Sequence, residues 1–107
     1  MNEIQQLTDE IMAFTEERDW DQFHSPVNLA KSIAIEAAEL LECFQWSDEA
    51  APEKVEEELA DVLNYCLQLA AKMKLDPAEI VRKKMIRNAE KYPVDKSRGS
   101  SLKYDQL

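Results

Sequence analysis

The sequence predicts an all-α protein: a bundle of four helices completed by oligomerisation, with an extended C-terminal tail. Three observations carry that expectation. Across 107 residues there is one glycine and only four prolines, which leaves little material for β-turns. Apolar residues recur at three- and four-residue spacing, the period of a helix with one inward face. The middle of the chain is apolar on more than one face, and a peripheral helix of a small monomer normally carries one stripe.

The first helix is expected over residues 2 to about 18, where Ile4, Leu7, Ile11 and Phe14 share a face. The stretch DWDQFHSP breaks that pattern. Ser25 followed by Pro26 then starts a second helix, with a capping hydroxyl and a proline where no amide bond is lost. This helix is expected to reach about Trp46. Ser47 or Asp48, with Pro52, opens a third that lasts to about Met73. Asp76-Pro77-Ala78-Glu79 opens a fourth, with Glu79 placed for a capping box, and it ends near Tyr92-Pro93. Residues 93–107 are polar and expected to be extended. The whole of 1–107 reads as one domain.

The second helix carries Leu29, Ile33, Ile35, Leu40, Leu41 and Phe44; the third carries Leu59, Val62, Leu63, Leu67, Leu69 and Met73. Two such broad apolar surfaces predict helical hairpins packed into a dimer or tetramer.

The chain is 45% hydrophobic and 33% charged, with a formal net charge of −9. That charge argues against binding a nucleic-acid polymer by surface attraction. It is unevenly placed: residues 1–81 sum to −14 and residues 82–107 to +5. The basic end is either a phosphate-binding segment or a solvated helix and tail. The opening MNEIQQLTDE is acidic and polar, and no apolar run reaches membrane-spanning length, so neither a leader nor a membrane partner is expected. Cys43 and Cys66 fall toward opposite ends of an antiparallel hairpin, which disfavours a disulfide and suits a cytoplasmic location.

The candidate chemistry lies in IAIEAAELLECFQW and EEELADVLNY. Glu36 and Glu39 are three apart and so neighbours on one helix face; Glu58 and Asp61 repeat the spacing. An antiparallel hairpin brings the two pairs together. Four carboxylates about 5 Å apart repel by about 3 kcal/mol per pair at an effective dielectric near 20. A divalent cation removes that repulsion, and hard oxygen ligands suit magnesium. Solvated acids on a helix surface are the competing reading. A di-iron site needs Glu-x-x-His on facing helices, and the lone histidine, His24, completes no such motif.

Aromatic residues form a second constellation. Tyr65 follows Asp61 by four, and Trp46 follows Glu39 by seven. Trp20 and His24 sit in the break between the first two helices. Together these side chains describe a nucleotide pocket; taken singly, each reads as core.

The segments ERDWDQFHSPVNL, IEAAELLECFQW, EEELADVLNYCLQLA, KMIRNAEKYPV and SRGSSLKY resemble the MazG-like, all-α nucleoside triphosphate pyrophosphohydrolases, and within them the dCTP pyrophosphatase branch. The resemblance covers nearly all of residues 12–105. It implies that Glu36, Glu39, Glu58 and Asp61 bind Mg2+, with Mn2+ as a substitute, and carry catalysis. It implies a base and sugar pocket of Trp20, Asp21, Gln22, Phe23, His24, Trp46 and Tyr65. Lys84, Arg87, Asn88, Lys91 and Tyr92 match the region expected to meet phosphates. The implied reaction is hydrolysis of a deoxynucleoside triphosphate, dCTP and its 5-substituted forms first, to monophosphate and pyrophosphate. The implied assembly is a homotetramer, a dimer of dimers. Preference for dUTP, breadth over several triphosphates, a phosphoribosyl nucleotide substrate, or a non-catalytic helical module are the alternatives.

Overall fold

A computed structural model describes residues 2–107. Helices and turns account for all its regular structure, with no strand among the described residues. The chain divides into two compact units, one running to Leu75 and the other over Asp76–Leu107.

In the first unit, α1 spans Glu3–Glu17. The Asn2 side chain accepts from the Gln5 amide at 2.8 Å, satisfying an N–H that the helix start leaves open. Two buried threonines face inward from α1. Thr8 donates to the Ile4 carbonyl and Thr15 to the Met12 carbonyl, so neither hydroxyl is buried unpaired. Of the expected apolar stripe, Ile11 is half-buried while Ile4, Leu7 and Phe14 stay exposed.

A positive φ of 55° at Asp19 turns the chain out of α1 and into a single 3-10 turn, Asp21–Phe23. Lys72, at the end of α3, pairs with Asp21 and ties this connection down.

The second helix, α2, spans Pro26–Glu42, and the Ser25 hydroxyl accepts from the Asn28 amide at 3.2 Å, as its sequence signal requires. It ends earlier than expected. Residues 43–45 continue only through i to i−3 bonds, a tightened last turn, and the path to Pro52 is irregular. The Ser47 hydroxyl caps a local turn at Glu49 rather than a helix. Helix α3 starts at Pro52 and runs to Lys72. It packs chiefly on α2 and secondarily on α1. The end of α2 lies beside the start of α3, where Glu42 and Cys43 border the same groove as Lys54 and Glu58. The pair is therefore an antiparallel hairpin. Both cysteines are free thiols.

Little apolar surface is fully covered. Among the described residues, only Leu29 and Ala70 are buried apolar side chains, while Ile35, Leu41, Leu63 and Met73 of the hairpin are exposed.

In the second unit, α4 spans Pro77–Lys91, and Asp76 caps it by accepting from the Glu79 amide at 3.0 Å. The tail is less extended than its polarity suggests. It holds a short helix, α5 (Val94–Ser97), and a 3-10 turn at Tyr104–Gln106. The Tyr92 and Tyr104 rings meet edge to face, and the Lys91 ammonium lies 4.9 Å from the Tyr104 ring centre.

Candidate active site

The hairpin brings the acidic pairs together. One carboxylate oxygen each from Glu36, Glu58 and Asp61 lies within 4.8 Å of the others. The cause is helical period: Glu58 and Asp61 project from one face of α3, toward the face of α2 that carries Glu36. Glu39 stands beside this group and interacts with both Glu36 and Glu58.

The four acids do not share one environment. Glu58 is only 7% exposed. Lys54, one turn before it, reaches its Oε1 at 2.9 Å and holds the carboxyl below its ordinary range. Glu36 is pushed the other way, up to about 7. Hydrogen bonding to Glu39 is the main cause, followed by burial and then by the negative charges of Glu39, Asp61 and Glu58. Glu36 Oε2 and Glu58 Oε2 are both buried without a hydrogen-bond partner. Buried polar oxygens in folded proteins are normally satisfied. Two orphaned carboxylate oxygens in one cluster of acids fit a hard divalent cation held by oxygen. They do not fit solvated surface acids.

Beside the cluster is a cavity of about 270 Å³ lined by Ile11, Phe14, Thr15, Trp20, His24, Asp61, Asn64, Tyr65 and Gln68. Helical spacing explains the α3 wall, since Asp61, Asn64, Tyr65 and Gln68 recur at three and four residues. Trp20 is set by the turn after α1 and packs edge to face on Phe14, with ring centres 6.0 Å apart. His24 packs edge to face on Tyr65 at 6.3 Å, and its buried Nδ1 has no hydrogen-bond partner. The Tyr65 hydroxyl is held above its usual pKa by burial first, then by the negative charges of Glu36, Asp61 and Glu39. The carboxylates therefore act on the aromatic pocket directly. Asp61 belongs to both.

Other sequence-derived candidates lie elsewhere. Trp46 is 89% exposed, beyond the end of α2, and does not line the pocket. Asp21 pairs with Lys72, Gln22 bonds to Asp19, and Phe23 is exposed. None of these three borders the aromatic cavity. In the second unit, Lys84, Arg87, Asn88 and Lys91 fall at three- and four-residue spacing on α4 and are exposed. Tyr92 follows them and packs on Tyr104. Five lining residues were not expected in the pocket from sequence: Ile11, Phe14, Thr15, Asn64 and Gln68. The two amides continue the Asp61 stripe through the apolar C-terminal half of α3.

Comparison with known proteins gives a consistent set of similarities. A sequence model described as the MazG-like family matches residues 31–107. The proteins called dCTP pyrophosphatase 1 of Rattus norvegicus and Homo sapiens are 43% and 40% identical over 104 aligned positions, covering 88% of this chain. The chain spans 61% of the length of those relatives. A crystal structure of a pyrophosphatase from Archaeoglobus fulgidus DSM 4304 superposes with a TM-score of 0.81 at 41% identity, covering 87% of this chain and 94% of that one.

Proposed function

The chain belongs to the MazG-like family, and from that premise we propose that it hydrolyses a deoxynucleoside triphosphate, dCTP first, to the monophosphate and pyrophosphate. The observation that carries the proposal is Asp61. It sits at once in the carboxylate cluster and in the wall of an aromatic cavity, as a site that binds a base and acts on its phosphates requires. The relatives bearing the name dCTP pyrophosphatase, and the archaeal pyrophosphatase, support the same reading.

In this proposal Glu36, Glu39, Glu58 and Asp61 hold Mg2+, or Mn2+ in its place. Such an ion would supply positive charge against the phosphates and acidify the attacking water. Its contact with Glu39, its burial and the neighbouring acids favour the protonated form of Glu36, and a cation held there would favour its carboxylate. One of these carboxylates, Glu39 being the candidate, would take the proton of the attacking water. Trp20, His24 and Tyr65 border the base. Trp46, outside the cavity of its own chain, reaches a base only from a second copy. That placement and the exposed apolar faces of the hairpin support assembly as a tetramer. Lys84, Arg87, Asn88, Lys91 and Tyr92 are proposed phosphate contacts, supported by the basic face of α4 and by the resemblance. Asp21, Gln22 and Phe23 are kept as pocket residues on the resemblance alone. Action on a free nucleotide suits a cytoplasmic protein, and no described helix is long and apolar enough to cross a membrane.

The test is incubation of the wild-type protein with Mg2+ and each of dCTP, dUTP, dATP and dGTP, identifying the products. Pyrophosphate and dCMP are expected, with the purine triphosphates poor substrates. Release of orthophosphate would overturn the reaction class. Equal hydrolysis of dATP or dGTP would overturn the base assignment.

A further inference from the structure

Two polar side chains in the wall of the aromatic cavity neither join the carboxylate cluster nor stack on a ring. Asn64 and Gln68 stand one turn apart on α3, continuing the line that begins at Asp61. Gln68 is only 4% exposed. Burying an amide is unfavourable unless it is hydrogen-bonded. The Gln68 Nε2 donates to Asn64 Oδ1 at 2.6 Å, which locks the two amides head to tail. That bond leaves over the Asn64 amide nitrogen as a donor and the Gln68 carbonyl as an acceptor. Thr15, their neighbour in the wall, already commits its proton to the Met12 carbonyl.

We propose that the Asn64–Gln68 amide pair hydrogen-bonds the polar edge of the pyrimidine held in the cavity, so that a ring lacking the matching groups binds poorly. The inference rests on the nucleotide reading above. A cytosine edge offers its 4-amino group as a donor beside N3 as an acceptor. The Gln68 carbonyl suits the first and the Asn64 amide nitrogen the second. Stacking tolerates any ring, so Trp20 and Tyr65 supply affinity without choice. A hydrogen-bonding wall does choose, because a ligand lacking the matching group leaves a buried amide unpaired. The two amides turned over together exchange donor and acceptor, and then match the O4 and N3–H of uracil. The pair therefore favours a base that offers an adjacent donor and acceptor on one edge, separates cytosine from uracil only weakly, and leaves the rejection of purines to the size of the cavity.

The experiment edits ligand and protein together. The kcat/KM for dCTP is compared with that for the deoxynucleoside triphosphate of 2-pyrimidinone, which lacks the 4-amino group. The comparison is made in the wild type and in the Asn64→Leu/Gln68→Leu variant. Removing the amino group is expected to lower wild-type kcat/KM by about tenfold or more, and to change the variant by about twofold or less. The variant should lose dCTP efficiency mainly through KM, with Mn2+ affinity unchanged. An equal penalty in both proteins would overturn the amide pair while leaving the nucleotide reading intact. Failure of the wild type to release pyrophosphate from dCTP would overturn that reading and this inference with it. Circular dichroism checks the fold, and should the double variant not be helical, Gln68→Met alone, which removes the carbonyl assigned to the 4-amino group at nearly unchanged volume, carries the same comparison with the same two outcomes.

Discussion

On one side of the α2–α3 hairpin polar groups are buried, and on its other faces apolar groups are exposed. Glu58 and Gln68 are nearly inaccessible, whereas Leu41, Ile35, Leu63 and Met73 stand in the open. A small protein with a complete core shows the reverse. The two regions teach different things. The buried carboxylates have Lys54 beside them and keep two oxygens without a partner among the described residues, a need that a divalent cation would meet. The exposed leucines lack cover, and burying such a side chain contributes about 1.5–3 kcal/mol. In the proposed assembly a second copy would cover them. A single hairpin thus shows two features of unlike chemistry, orphaned carboxylate oxygens and uncovered apolar side chains.

The comparison breaks most sharply at the carboxylates. Asp61→Asn or Glu36→Gln should lower kcat by about a hundredfold or more while leaving the helical circular dichroism unchanged. Full activity in either variant would return the cluster to the status of surface acids.

The apolar faces come next. Leu41→Lys or Leu63→Glu should shift the particle mass in light scattering from an oligomer toward a monomer, and lower thermal stability by several degrees. If the wild type is already a stable monomer at micromolar concentration, these faces are not an interface. Trp46 sharpens the same comparison. Trp46→Ala and Trp20→Ala should each raise KM for dCTP by about tenfold, with kcat less affected. No effect from Trp46→Ala would leave that residue without a role in base binding.

A smaller effect is expected at Lys54. Its ammonium occupies Glu58 Oε1 and competes for the charge a metal would use. Lys54→Met should tighten Mn2+ binding by about threefold, read by calorimetry. Weaker binding would instead mean that Lys54 orders the site. The smallest effect is on pH dependence without metal. Glu36 has a folded pKa raised from 4.5 to about 7, so it binds more protons folded than unfolded between those values. Its contribution is present below pH 4.5 and is lost as pH rises through 7. Thermal melts in chelator should show that component falling over this window in the wild type and absent in Glu36→Gln.

Local chemistry made much of this legible in the sequence. Ser25-Pro26 and Asp76-Pro77 state their helix starts outright, because a capping oxygen and an N1 proline leave few other uses for those pairs. The ExxE and ExxD spacings place their acids correctly because helical period alone decides which residues share a face. The end of α2 was not legible. Cys43 to Trp46 has adequate helix propensity, yet its turns tighten and stop where no packing holds Trp46. Asn64 and Gln68 escaped notice for a related reason: a polar residue on an apolar helix reads as solvent-facing until α1 is seen to cover it. The match RDWDQFH pointed to five pocket residues in a row, Trp20 to His24, but a turn presents only some of them to one cavity. Trp20 and His24 line it, and the three between them do not.

The central claim is that Glu36, Glu58 and Asp61, with Glu39 beside them, form a site for a divalent cation. Titration of Mn2+ into the wild-type protein at pH 7.5, followed by calorimetry and by the loss of the free-ion electron paramagnetic signal, tests it most directly. Saturable binding is expected in the wild type, weakened by about tenfold or more in Asp61→Asn and in Glu36→Gln. Unchanged Mn2+ affinity in both variants, or no saturable binding by the wild type, would contradict the account.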